Sequence, residues 1–229
     1  MSLIHRDGDD KEFISWIGAA LRCGMSSLIP LLAPFSIGGW PATLTQVRIS
    51  LALDTVLPAA VARGAVDEAD ALWAPYGVAV VPLQPASTAC GPARSGEAAL
   101  TVRVAEPVLD TARAWSSPFA AIRFLADGEP EPTILLHYDA VIKRGLGTLS
   151  LGGTREPQWP KAVRDRILGR MIGRVLAHEI GHWVLRSRDH SASGLMRAEQ
   201  TTDALAEPGR ARFALAPADV ARLRAALAR

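Results

Sequence analysis

The chain has 229 residues, 49% of them apolar and 21% charged, with a formal net charge of +2 and a mean hydropathy of +0.15. That length supports one core with a short appendage, and the apolar share excludes global disorder. The small, well-mixed charge demands no nucleic-acid or acidic-lipid partner, so the arginines read as a solvated surface and no nucleic-acid partner is expected. Two cysteines, Cys23 and Cys90, exclude a disulfide framework and fit neither a zinc ribbon nor a CxxC redox pair; they read as independent thiols.

Residues 1–42 form the appendage. A charged start gives way to an apolar stretch from Phe13 to Trp40, interrupted by Arg22, Pro30 and Pro34. Those breaks disfavour a spanning helix, whereas a basic residue, a short apolar run and small residues near Ala42 suit an export signal or anchor. The alternatives are a hydrophobic helix packed on the domain, or a true start near Met25. Any membrane contact falls on this segment, and an extracytoplasmic (secreted or periplasmic) location is the expectation.

Residues 43–229 read as one α/β unit. Val47–Leu53 alternates and is rich in β-branched residues, which predicts a strand. Thr55–Trp73 has apolar residues at helical spacing, with Asp54 or Thr55 as its cap and Pro58 in its first turn. Gly77 ends that unit, and Val78–Leu83 predicts a second strand, parallel to the first through a right-handed crossover. Residues 84–97 form a loop. Ala99–Val104 and Ile134–Ile142 follow as strands, then Leu146–Leu151 as a short edge strand and Arg155–Pro160 as a turn. Lys161 to Leu185 is the longest helix, with Val163, Ile167, Met171, Val175, His178 and His182 on one stripe. A final helix spans Pro217–Leu227. The expected class is α+β: a mixed, mostly parallel twisted sheet with one long helix before the end and a C-terminal helix.

The long helix carries His178-Glu179-Ile180-Gly181-His182. Histidines four apart share a helix face, so both rings can reach one zinc ion at about 2.0–2.1 Å. Glu179 is offset by one position and reaches water at the ion rather than the ion itself. A third ligand is needed, and Asp189, His190, Glu199 and Glu207 are the candidates. His190 is preferred, because neutral imidazole suits zinc and three of the five histidines fall within 178–190. Of the other two, His5 lies outside the domain, and His137 reads as a core or supporting residue on a strand. No fourth cysteine or histidine stands nearby to close a purely structural site.

HEIGHWVLRSRDHSASGLM resembles the metzincin zinc peptidases, whose pattern is H-E-x-x-H-x-x-G-x-x-H followed by a turn bearing a methionine. His178, Glu179 and His182 match directly, His190 would be the third ligand, and Met196 the turn methionine, a packing floor. Residues 45–229 fall within the resemblance, and HSASGLMR is similar to the ends of small bacterial metzincin-like proteins and matrixins. Two departures stand out. Leu185 occupies the family glycine position, and the stretch from His182 to His190 is two residues longer. The resemblance implies a zincin-like fold and a zinc endopeptidase acting on peptide or protein substrates through metal-activated water, with Glu179 as general base. A bound peptide is expected along the Leu146–Leu151 edge. The alternatives are a gluzincin with Glu199 or Glu207 as third ligand, and an inactive zinc-containing binding protein.

Overall fold

β1 (Val47–Leu53) occupies its expected range, with Ile49 and Leu51 fully buried. The computed structural model describes residues 47–83, 97–105, 119–151, 153–155 and 158–228. The readings made for 1–42, His5, Cys23 and Cys90 lie outside those residues. All the described residues belong to one unit, Pro41–Arg229.

α1 (Ala59–Trp73) starts later than the apolar spacing suggests. The Asp54 carbonyl accepts the Leu57 N–H and its carboxylate accepts the Val56 N–H, which turns 54–57 into a bend before the helix. Pro58, with no N–H to give, stands at the helix entrance rather than within the first turn. A 3-10 turn (Ala74–Tyr76) and Gly77, at φ 78°, lead into β2 (Val78–Pro82). β3 (Glu97–Val104) comes next, and its Val104 N–H donates to the Asp54 carboxylate at 3.1 Å, tying the ends of β1 and β3 together.

β4 (Ala120–Phe124) is a strand the periodicity did not reveal, and it forms a hairpin with β5 (Pro130–Leu136). The sheet order is β2-β1-β3-β5-β4; its first four strands are parallel, and β4 is the antiparallel edge. β5 begins earlier and ends earlier than the run Ile134–Ile142 suggests. Pro130 and Pro132 precede the stretch from Thr133 that pairs with β3, so their missing N–H groups leave that ladder intact. Beyond Leu136 the chain leaves the extended conformation at His137. It coils into a helical turn, α2 (Tyr138–Ala140), a wider π-type turn (Val141–Gly145) and a 3-10 turn (Leu146–Thr148). An apolar run of this kind does not distinguish strand from buried helix by periodicity alone.

The expected edge strand Leu146–Leu151 is therefore corrected. Only β6 (Ser150–Leu151) is extended, and it pairs with β7 (Thr154–Arg155) in a separate two-stranded ribbon. α3 (Lys161–Leu185) has its expected bounds, but it is buried nearly all round from Leu168 to Val184 rather than along one stripe. α4 (Thr202–Ala206) and α5 (Pro217–Leu227) complete the chain.

α1 and α3 cross at close range because small residues meet there. A Cβ on Gly169 would stand 3.1 Å from the Val61 carbonyl, and one on Gly173 would stand 2.6 Å from the Ala65 carbonyl. At the far end of the contact the buried Trp73 indole N–H donates to the Ala177 carbonyl at 3.0 Å, one residue before His178. A second tie is ionic. Arg174 of α3, 1% exposed, donates to Glu68 of α1 at 2.9 Å and to the carbonyls of Ala204 and Gly209 at 2.6 and 2.7 Å. Arg210 meets the other Glu68 oxygen at 2.7 Å, and Phe213 stacks under the Arg174 guanidinium. The buried charge is thus paired and hydrogen-bonded, as a low-dielectric interior requires.

Candidate metal centre

Where α3 ends, its last turns bring His178, Glu179 and His182 together beneath the edge strand β4. The helix stops at Leu185, and Arg186 takes the left-handed conformation (φ 47°, ψ 42°) that ends helices, usually on glycine. The Ser187 N–H then caps the His182 carbonyl at 3.2 Å. The reversal expected of a glycine at 185 thus occurs one residue later, on a non-glycine residue. The extra length carries the chain back over the helix to His190.

The ring of His190 lies 5.2 Å from that of His178 and 4.8 Å from that of His182, centroid to centroid. One donor nitrogen from each of the three rings falls within 4.8 Å of the others, and no other metal-suited group of three or more exists among the described residues. Asp189 turns away, 73% exposed and 3.8 Å from Arg222. Glu199 is exposed on the cleft wall, and Glu207 pairs with Arg212 at 3.6 Å. Neither joins the histidines. His137 lies just beyond β5, its Nδ1 buried without a partner, apart from the cluster.

Hydrogen bonds fix the ring tautomers. His178 Nδ1 faces the Leu195 carbonyl at 2.8 Å, and His182 Nδ1 faces the Ser187 carbonyl at 2.7 Å. A carbonyl only accepts, so each Nδ1 carries the hydrogen and each Nε2 presents a lone pair. Those two Nε2 atoms face each other at 3.1 Å. Two acceptors at that separation repel unless a cation lies between them. Donors about 2.0–2.1 Å from a tetrahedral zinc would be roughly 3.3–3.4 Å apart, close to the spacing seen. The donor set fits a divalent ion on this ground.

Burial drives the electrostatics. It pushes His178 down to about 4, against the smaller opposing effect of its bond to Leu195, and it pushes His182 down as well. Both rings are therefore held neutral, the state a metal ligand needs. Burial also raises Glu179 to about 7, opposed by the Ile122 N–H, which donates to Glu179 Oε2 at 2.9 Å. A carboxyl near that value can both accept and return a proton near neutrality.

Ser191–Arg197 forms a tight turn below the rings, closed by the Ser191 N–H donating to the Met196 carbonyl at 2.8 Å. Gly194, at φ 80°, packs on the Ala214 carbonyl, where a side chain has no room. Met196 is buried against Gly181, and a Cβ at 181 would collide with its sulfur. The bond from Ser191 Oγ–H to Asp219 Oδ2, at 2.6 Å, anchors the turn to α5.

A cavity of about 920 Å³ opens over the site, bounded by β4, the histidines and the chain after the turn. Ser150 does not line it, so the peptide placement along Leu146–Leu151 is corrected: the sheet edge beside the site is β4. Sequence reasoning missed β4 and the Ile122 N–H that meets Glu179. The signal was there in Asp127-Gly128 between two apolar runs, a strong hairpin marker, with Gly128 at φ 86°. The Leu195 and Ser187 carbonyls that orient the rings carry no side-chain signal.

No protein-family model, no curated protein and no solved structure matches this chain. No helix among the described residues is long and apolar enough to cross a membrane.

Proposed function

We propose that the chain is a zinc-dependent endopeptidase on a metzincin-like α+β frame. The observation that carries the reading is the pair of lone-pair nitrogens of His178 and His182, 3.1 Å apart with their Nδ1 hydrogens already donated, and His190 stacked beside them. When bound there, zinc would supply a Lewis acid for the scissile carbonyl and would lower the pKa of a water to about 7.

The remaining chemistry belongs to the chain. Glu179 takes a proton from the attacking water and returns it to the departing amine. The Ile122 N–H holds the Glu179 carboxyl in one orientation. The open edge of β4 offers an extended peptide a strand to pair with, so backbone recognition comes from the sheet and the reacting bond falls over the histidines. Met196 supports the helix from below and touches no substrate. Glu199 and Glu207 stand outside the ligand group, which favours a three-histidine centre over a gluzincin one.

The deciding experiment pairs zinc analysis with peptide cleavage for the wild type and Glu179→Gln. The expected outcome is equal zinc in both and at least a ~100-fold loss of cleavage in the variant. A zinc-loaded wild type that cleaves nothing in a broad peptide library would favour a binding role. Equal cleavage by both proteins would remove Glu179 from the mechanism.

A further inference from the structure

Hydrogen-bond alternation along β4 decides which of its backbone groups face the cleft. The His137 N–H donates to the Phe119 carbonyl at 2.9 Å, so 119 and 137 form a bonded pair at the end of the β4–β5 ladder. In an antiparallel ladder bonded and unbonded pairs alternate. Ala121, opposite Leu135, is therefore bonded to β5, whereas Ala120, opposite Leu136, and Ile122, opposite Ile134, point their N–H and C=O away from it. The Leu136 carbonyl agrees, because it turns from β4 and accepts the Ala105 N–H at 2.8 Å. Ala120 is only 5% exposed, and the register shifts between Ile122 and Phe124. Ile122 is thus the regular rung of this edge that opens on the cavity shared with Glu179 and the three histidines.

That rung is half occupied. The Ile122 N–H already donates to Glu179 Oε2 at 2.9 Å, while the Ile122 C=O lies on the same side of the strand. A peptide laid antiparallel along the edge brings one residue opposite Ile122. The N–H and C=O of one extended residue point to the same side, so that residue gives its N–H to the Ile122 carbonyl and asks the Ile122 N–H for its own carbonyl. Glu179 holds that donor and bears no association cost to keep it. The peptide carbonyl is left without a strand partner beside Glu179 and the histidines, and such a carbonyl is costly to bury unless another electrophilic group meets it.

We propose that Glu179 sets the register of the substrate: the residue that owns the reacting carbonyl is the one whose N–H bonds the Ile122 C=O, because its carbonyl is the one the sheet leaves free. Glu179 then has a positioning role, exerted through the Ile122 N–H, beside its role as base. The inference rests on the hydrolase reading, which supplies the reaction but not the register.

The test takes one labelled octapeptide that the zinc-loaded full chain cleaves at a single bond, and a series in which one backbone N–H at a time is replaced by an ester oxygen. Binding is read by fluorescence anisotropy on zinc-loaded Glu179→Gln, whose amide oxygen can still accept the Ile122 N–H. The ester at the residue owning the reacting carbonyl should weaken binding about 5–10-fold, and esters at its two neighbours, whose N–H groups face the other way, should stay within about twofold. Ile122→Pro removes the contested N–H, keeps the carbonyl and suits an edge position whose N–H takes no part in the ladder. Its kcat should fall at least ~10-fold with KM within about twofold. Should that variant not fold, the ester series decides alone. An ester effect greatest at another residue, a KM raised 5–10-fold (on the order of one lost hydrogen bond) or an unchanged kcat overturns the proposal. The two readings fail separately: cleavage with the ester effect elsewhere removes the register and leaves the hydrolase, whereas a chain that cleaves no peptide removes the hydrolase and the register with it.

Discussion

His178 and His182 are oriented by carbonyls from two different places, one just past the helix and one in the methionine turn. A metal site built this way depends on the chain after the helix as much as on the helix. His190 tests that dependence, because its ring completes the cluster while its neighbour Asp189 points away. His190→Ala should lower zinc affinity by at least ~100-fold, whereas Asp189→Asn should leave it within about threefold, as read by competition with a chromogenic chelator. Zinc affinity undiminished by His190→Ala would return the third position to another donor. The helical pair was legible in the sequence because the spacing of four fixes two side chains on one face. His190 was legible only as a residue type at a plausible distance, since the loop that returns it follows no periodic rule.

At the scale of elements, β1, α3 and α5 occupy the ranges their patterns indicate. Each carries either β-branched alternation or a proline-marked entrance before helical spacing. β4 stayed hidden because Ala120-Ala121-Ile122-Arg123-Phe124 is neither cleanly alternating nor rich in β-branched residues, and the start of β5 was masked by its two prolines. The end of the run Ile134–Ile142 and the start of Leu146–Leu151, both expected to be extended, coil instead, because tertiary contacts outweigh local preference. There Gly145 packs on the Met171 side chain of α3, a contact no local pattern encodes. The α1–α3 pairing rests on small residues and on Glu68. Glu68→Ala should destabilise the chain by about 3–5 kcal/mol in urea unfolding, because it leaves Arg174 charged, buried and unpaired. Adding Arg174→Met should recover much of that loss; if the double variant is no more stable than the single, the charge pair is not what holds this interface.

For the molecule as a whole, the candidate centre joins segments that the sheet does not hold. α3 packs into the core, while the chain from Ser187 to Arg197 reaches the site through a few backbone bonds and the His190 ring. A ligand that binds only the folded state stabilises it in proportion to its concentration over its dissociation constant. With zinc at ~1,000 times that constant the gain is ~4 kcal/mol, which for a domain of this size is about 10 °C in Tm. Chelation should therefore lower Tm by roughly that amount, and calorimetry before and after zinc is restored checks it. An unchanged Tm would mean that the histidines hold no ion in the folded chain.

The uneven exposure of the three rings has one more consequence. His182 is nearly sealed and His178 half-sealed, whereas His190 belongs to an exposed residue on a returning loop. An ion seated among them therefore has its doorway on the side of residue 190. How quickly it would trade with the surroundings is then set by how readily the ring of His190 leaves it, while the grip at rest is shared by the helical pair and that third ring. Stiffening residues 186–190 would slow the exchange of the ion.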